Sequence, residues 1–232
     1  MGGWPRTRDE LEAVQRELAD RRPPTWTPPT APFTVGAAFV TFSTAHDPLP
    51  LVRAWAAAVS GAARAVANGT ADEPYEPGYL ALREGPVLEE AVRGLPAMPE
   101  ILLVNASGRD HPRGAGLALH LGAVLDLPTV GVTDRPLISE PDVTGALVLV
   151  GEVVGYLVRT RANARPVCAH AAWRTDAATA RAVVAASAGR ARTPEPLRRA
   201  RFLARSQRAR DEGRLPPGWQ MDRLSDPRFP AR

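Results

Sequence analysis

The chain has 232 residues, 44% hydrophobic and 23% charged. This is an ordinary globular balance, and at about 100–200 residues per domain it makes one domain with tails. No apolar run approaches the ~18–20 residues of a membrane span. The N-terminus, with Arg6, Arg8, Asp9 and Glu10, does not read as a signal peptide. A single cysteine, Cys168, excludes an internal disulfide and a multi-cysteine zinc site and fits a cytoplasmic protein. All 29 basic residues are Arg: residues 190–232 hold 12 of them against five acids, and residues 1–189 hold 17 against 20. The positive charge therefore lies in the C-terminal segment, as a solvated helix face or as a surface for an anionic partner such as nucleic acid.

In chain order, Thr7 and Glu10 have capping-box spacing, and Leu11, Val14 and Leu18 follow on one face. This predicts a three-turn helix that stops before Pro23-Pro24. Residues 23–32 are Pro-rich and extended. Residues 33–42 (FTVGAAFVTF) read as a buried strand. Gly61 and Gly69 punctuate an Ala-rich stretch that reads as two strands near 52–59 and 62–69. Residues 74–78 (PYEPG) form a rigid loop, and a helix follows with Pro86 in its first turn and Gly94 as its stop. Residues 101–105 (ILLVN) have the apolar run of a central strand, 106–113 are a loop, and a helix from about Pro112 to Leu125 leads to a strand over 129–132. That order predicts a parallel crossover. Residues 146–150 and 153–158 flank Gly151 as a hairpin, an Ala-rich helix runs from Thr175 to Gly189, and an Arg-rich helix spans 197–212. Residues 213–232 look loose. The pattern is α/β with a mixed sheet flanked by helices.

The chain has no Gly-rich phosphate loop, HExxH motif or Cys/His ligand set. His46, His111, His120 and His170 are scattered and read individually as structural histidines. Three stretches are more specific: residues 75–86 (YEPGYLALREGP), 103–113 (LVNASGRDHPR, continuing to Gly116 and His120) and 127–134 (LPTVGVTD). With Pro194-Glu195-Pro196 and Gly36-Ala37-Ala38, they resemble the endonuclease V family, whose corresponding stretches read approximately PYIPG…FREGP, DGxGxxHPRxxGxASHxG, PTIGVAK and PEPTR. The likeness keeps order and spacing from about residue 33 to 200, within a single domain over 1–212. It implies a ribonuclease H-like fold and a Mg²⁺- or Mn²⁺-dependent endonuclease that recognises inosine and cuts on its 3′ side. In two-metal hydrolysis of this kind, converging carboxylates hold the ions that activate water and steady the leaving oxygen.

This chain departs from the family at the chemistry. The first-strand Asp falls on Ala38, the central-strand Asp on Asn105, the Lys after the PTIGVA strand on Asp134, and a later His on Trp173; Glu84 alone remains of the metal carboxylates. A carboxylate–divalent cation contact at ~4 Å and an effective dielectric of ~20 is on the order of 8 kcal/mol before desolvation, so such losses remove decades of affinity. A shifted set of Glu84, Asp110 and Asp134 is the one rescue the sequence offers; otherwise Asp110 is a helix cap and Asp134 a turn residue. The recognition positions are better kept. Tyr75, Pro77, Gly78, Leu80 and Gly108 match lesion-binding positions, and His111 and Arg113 match an HPR turn where Arg would hold phosphate at a helix start. The expectation is a monomeric, membrane-free binder of inosine-containing or distorted nucleic acid, DNA more than RNA, with cleavage lost or feeble. An active Mg²⁺/Mn²⁺ endonuclease with a rearranged site and a non-catalytic protein-interaction scaffold are the alternatives.

Overall fold

A computed structural model describes residues 3–30, 32–43, 52–71 and 75–215. Its centre is a nine-stranded mixed sheet in the order β3-β2-β1-β4-β5-β9-β8-β7-β6. Strands β1 (Val35–Phe42), β2 (Val52–Ser60) and β3 (Ala63–Ala71) form an antiparallel meander, as the two glycine-punctuated segments predict. β1 then pairs in parallel with β4 (Ile101–Val104), and β4 with β5 (Thr129–Thr133). β9 (Val167–Ala171) joins antiparallel to β5 and leads outward through β8 (Glu152–Val158), β7 (Ala146–Leu149) and β6 (Glu140–Pro141).

Strand alternation divides the core between the two faces. Leu102 and Val104 of β4 join Ala38 under helices α1 (Arg8–Asp20), α2 (Leu80–Arg93) and α3 (Leu117–Leu125). Ile101 and Leu103 join Ala37 under α4 (Ala177–Ala186) and α5 (Glu195–Asp211). Helix α1 carries the expected capping box, with Thr7 accepting from the Glu10 N–H and Glu10 reaching back. A glycine lets the loop after β4 lie close on β5: a Cβ at Gly131 would meet the Ala106 carbonyl at 2.4 Å.

Several boundaries differ from expectation. Helix α2 starts at Leu80, so Pro86 lies in its interior and not in its first turn; the helix tolerates the lost N–H because it buries Ala81, Glu84, Val87 and Leu88. Helix α3 starts five residues after Pro112, because Gly114 has φ +70 and cannot continue a right-handed helix. The Ala-rich helix is shorter at both ends, with Asp176 as its N-cap, and α5 begins two residues early at Glu195. β6 and β9 had no strand signal of their own. His46 and residues 216–232 of the expected tail lie outside the described residues.

The β7–β8 hairpin turns through Val150 (φ +48) and Gly151 (φ +80), a pair of left-handed residues that suits Asn-Gly. Val150 is fully exposed, so its β-branched side chain gains no packing against that backbone strain. Val150→Asn is expected to raise the unfolding free energy by about 1 kcal/mol, read as a higher urea midpoint with an unchanged slope.

Candidate functional site

A cleft of about 320 Å³ opens where β1, β4 and β5 meet α2. Ala38 of β1 pairs with Val104 of β4, one residue before Asn105 at the end of that strand, and Ala38, Phe39 and Asn105 all line the cleft. Leu80, Ala81, Glu84 and Leu88 line one wall from a single stripe of α2. The loop before α2 contributes Tyr75, Pro77 and Gly78; the loop after β5 contributes Asp134 to Leu137. His111 and Gln15 complete the mouth.

Glu84 is buried, and burial lifts its pKa to about 7 against the small opposing pull of Arg83. Ala38 offers no oxygen and Asn105 a neutral amide. Asp134 is exposed and ion-paired with Arg192. Tyr75 stands 68% exposed at the rim.

The rim is fixed by one carbonyl. Gly78, at φ +87, accepts hydrogen bonds from Gln15 Nε2 (3.2 Å), His111 Nε2 (3.2 Å) and Arg113 (2.8 Å). The Arg113 backbone N–H donates to His111 Nδ1 at 3.2 Å, so the ring is neutral with its proton on Nε2. Burial, and then Arg113, depresses the His111 pKa to about 4. Gln15 in turn accepts from Arg113 Nε at 2.6 Å. Glu12 takes the Tyr79 hydroxyl at 2.5 Å and lies 3.5 Å from Arg113.

The loop from Ala106 to Gly116 ties four segments together. Arg109 donates to the Ala19 and Arg21 carbonyls at the end of α1. Asp110, fully buried, accepts from the N–H groups of Leu137, Ile138 and Ser139 at 2.8, 3.0 and 2.8 Å. Burial alone would raise its pKa, but these three donors and His170 at 3.6 Å hold it below the usual range. Gly108 abuts β9, where a Cβ would meet the Ala171 carbonyl at 2.1 Å. His170 sits beneath, its Nε2 2.7 Å from Thr133 Oγ1, whose own proton goes to the Arg135 carbonyl at 2.6 Å.

The cleft thus gathers Ala38, Tyr75, Pro77, Gly78, Leu80, Glu84, Asn105, His111 and Asp134. It does not gather four other expected residues. Gly108 packs on β9. Asp110 is neither a helix cap nor in the cleft, since both its oxygens hold the 137–139 backbone. Arg113 precedes α3 by four residues and spends its guanidinium on Gly78, Gln15 and the Tyr79 ring, 4.5 Å away. Trp173 is buried against α3, its N–H groups directed to Thr129 and Asp126. Gln15 and Glu12 went unrecognised; only their place on the first helix, without a motif, marked them.

A family profile described as endonuclease V matches residues 35–202. The chain belongs to the endonuclease V family. Endonuclease V of Methanopyrus kandleri is 48% identical over 157 residues, 65% of this chain and 68% of that protein. The crystal structure of endonuclease V from Streptomyces avermitilis is similar at a TM-score of 0.77 and 33% identity, covering 92% of this chain and 97% of the other. Endonuclease V from Ciona intestinalis, solved with a 24-mer DNA containing an inosine followed by a ribo-adenosine, matches at a TM-score of 0.73 and 21% identity, covering 88% and 98%; at that identity the likeness is one of fold. The fold of this endonuclease V family member is accordingly the ribonuclease H-like α/β arrangement expected.

The divalent cation that the resemblance implies fits these donors poorly. Among the described residues no three His, Cys, Asp or Glu side chains converge. The floor offers one carboxyl that burial keeps about half-protonated at neutral pH, a neutral amide and a methyl group, whereas Mg²⁺ demands hard anionic oxygen.

Burial also depresses His120 and His170 to about 4, in His170 against the pull of Asp110. Unfolding between pH 6.5 and 4.5 therefore takes up a proton at each of His111, His120 and His170 and releases one from Glu84, whose folded pKa is the higher. The net uptake makes stability fall as pH falls, by on the order of 2–3 kcal/mol per pH unit. Urea denaturation at pH 7 and pH 5 should show a markedly lower midpoint at pH 5; equal midpoints would show that the histidines are not held neutral.

Proposed function

We propose that this endonuclease V family member binds inosine-containing or distorted nucleic acid, DNA in preference to RNA, and that its hydrolytic activity is lost or feeble. It would act as a cytoplasmic monomer; no helix among the described residues is long and apolar enough to cross a membrane. The observation that carries the reading is the lining of the cleft, to which Ala38 brings a methyl group and Asn105 a neutral amide, with Glu84 as its one buried carboxyl.

Binding needs shape and hydrogen bonds rather than a cation. Tyr75 offers an exposed ring on a short loop whose end is tied at Gly78, so it can stack where a base has been extruded. Leu80 and Leu88 give the pocket an apolar wall, and Asn105 offers an amide that can both donate and accept along a base edge. The DNA held by the Ciona relative supports DNA as the ligand class. Hydrolysis is different: two-metal chemistry draws its rate from ions clamped on the attacking and leaving oxygens, and here the floor lacks the charge to hold them. An active Mg²⁺/Mn²⁺ endonuclease is the second reading; in its favour, Glu84 and Asp134 line the same cleft.

The two separate in one assay. Incubated with inosine-containing duplex and single strands in Mg²⁺ or Mn²⁺, the protein should bind without nicking. Nicking that Glu84→Ala abolishes would establish the second reading instead. Conversely, Ala38→Asp with Asn105→Asp should tighten Mn²⁺ binding by at least about tenfold, equivalent to ~1.4 kcal/mol, in titration calorimetry. An unchanged isotherm would mean that these two positions are not where the family holds its metal.

A further inference from the structure

Helix α5 carries arginines at 201, 205 and 208, one stripe by their i, i+4, i+7 spacing. Arg208 is paired with Glu212 at 2.8 Å. Among the described residues, Arg201 and Arg205 have no carboxylate partner, and the Arg201 Nε is buried without a hydrogen bond. The Arg201 guanidinium lies 5.8 Å from the centre of the Phe39 ring. Burial, then Arg201 and Arg208, makes Arg205 easier to deprotonate than an ordinary arginine. Unbalanced like charges on one helix stripe weaken the helix.

Arg201 also borders a second, small hollow on the α5 side of the sheet, about 30 Å³. Phe39, Asn105, Thr133 and Asp134 line both this hollow and the main cleft. Asp134 is the hollow's lone carboxylate among its lining residues and is already neutralised by Arg192. Arg201 therefore remains as uncompensated positive charge next to Asn105. One helical turn away, about 6 Å along the axis, Arg205 repeats it.

We propose that Arg201 and Arg205 form a phosphodiester-binding track that runs from Asn105 along α5 and neutralises the strand without a metal ion. The proposal rests on the reading that the cleft binds nucleic acid. It explains how a floor without anionic ligands can still hold a polyanion: a guanidinium supplies fixed positive charge and a planar fork of N–H donors matched to phosphate oxygens.

The test is fluorescence anisotropy with a single-stranded inosine-containing DNA in EDTA across a salt series. The unaltered protein should bind in EDTA, with affinity falling as salt rises. Arg201→Gln with Arg205→Gln should lose about 10- to 100-fold in affinity and flatten the log–log salt slope by about 1.4, at ~0.7 per phosphate contact on single strands, while the preference for inosine over adenine persists. Arg201→Lys, which keeps the charge and the packing stem, should retain the slope and lose part of the affinity. Tyr75→Ala should lower the inosine preference and leave the slope. A double variant with unaltered affinity and slope overturns the track alone. Binding by the unaltered protein that disappears in EDTA overturns its metal independence, and absence of any salt-sensitive binding overturns both the track and the reading beneath it.

Discussion

The mouth of the cleft depends on the Gly78 carbonyl oxygen. It takes three donors from two distant parts of the chain, the amide of Gln15 on α1 and the His111 ring and Arg113 guanidinium of the loop after β4. Hydrogen bonds that involve a charged donor contribute roughly 1.5–3 kcal/mol, and a buried acceptor left without them costs a comparable amount. Glycine is needed there because the backbone is left-handed. With that carbonyl fixed, the short segment from Tyr75 to Gly78 has one end anchored beside α2, which shortens the free chain that carries the exposed ring. The neutral state of His111 belongs to the same network: its Nδ1 must accept from Arg113 while its Nε2–H donates to Gly78, an arrangement a protonated ring would break.

The rigid mouth surrounds a floor with little charge. In a ribonuclease H-like sheet the ends of adjacent parallel strands bring side chains within reach of one another, which suits converging carboxylates because a cation cancels their repulsion. Here β1 lends the cleft a methyl group and the end of β4 an amide, and α2 adds one carboxyl that desolvation keeps near half-protonation at neutral pH. A floor of this kind suits a planar, uncharged heterocycle with donors and acceptors on its edge better than it suits a hard ion. The compensating positive charge sits on α5, on the other side of Asn105, where arginine can meet a phosphate without organising any ligand sphere.

Much of the framework was legible in the sequence. The β2–β3 turn followed from Gly61, though Gly69 lies inside β3 opposite Ala54 and ends no strand; the β7–β8 hairpin followed from Gly151, and β4 from an unbroken apolar run. Boundaries failed where a side chain or backbone special overrode local pattern: Pro86 sits inside α2 because the helix's buried stripe begins before it, and Gly114 delays α3. In the site, the cleft residues were legible because their motifs kept register. The duties of Asp110 and Arg113 were not, because their partners lie far along the chain. Asp110 serves backbone 27–29 residues away and Arg113 serves Gln15 at a separation of 98. No local spacing encodes such contacts.

The HPR stretch shows why likeness in a motif and likeness in chemistry must be weighed separately. In this chain every polar residue from Arg109 to Arg113 has a structural partner: α1 carbonyls, the 137–139 backbone, and the Gly78 carbonyl. Such a stretch has to keep its residue types for the cleft to keep its shape, whether or not the protein cuts anything, so its presence is neutral on catalysis. Asn105 is the opposite case. Its side chain is exposed and makes no hydrogen bond among the described residues. No structural contact therefore accounts for the uncharged amide at the tip of β4, between the cleft and the hollow that Arg201 borders.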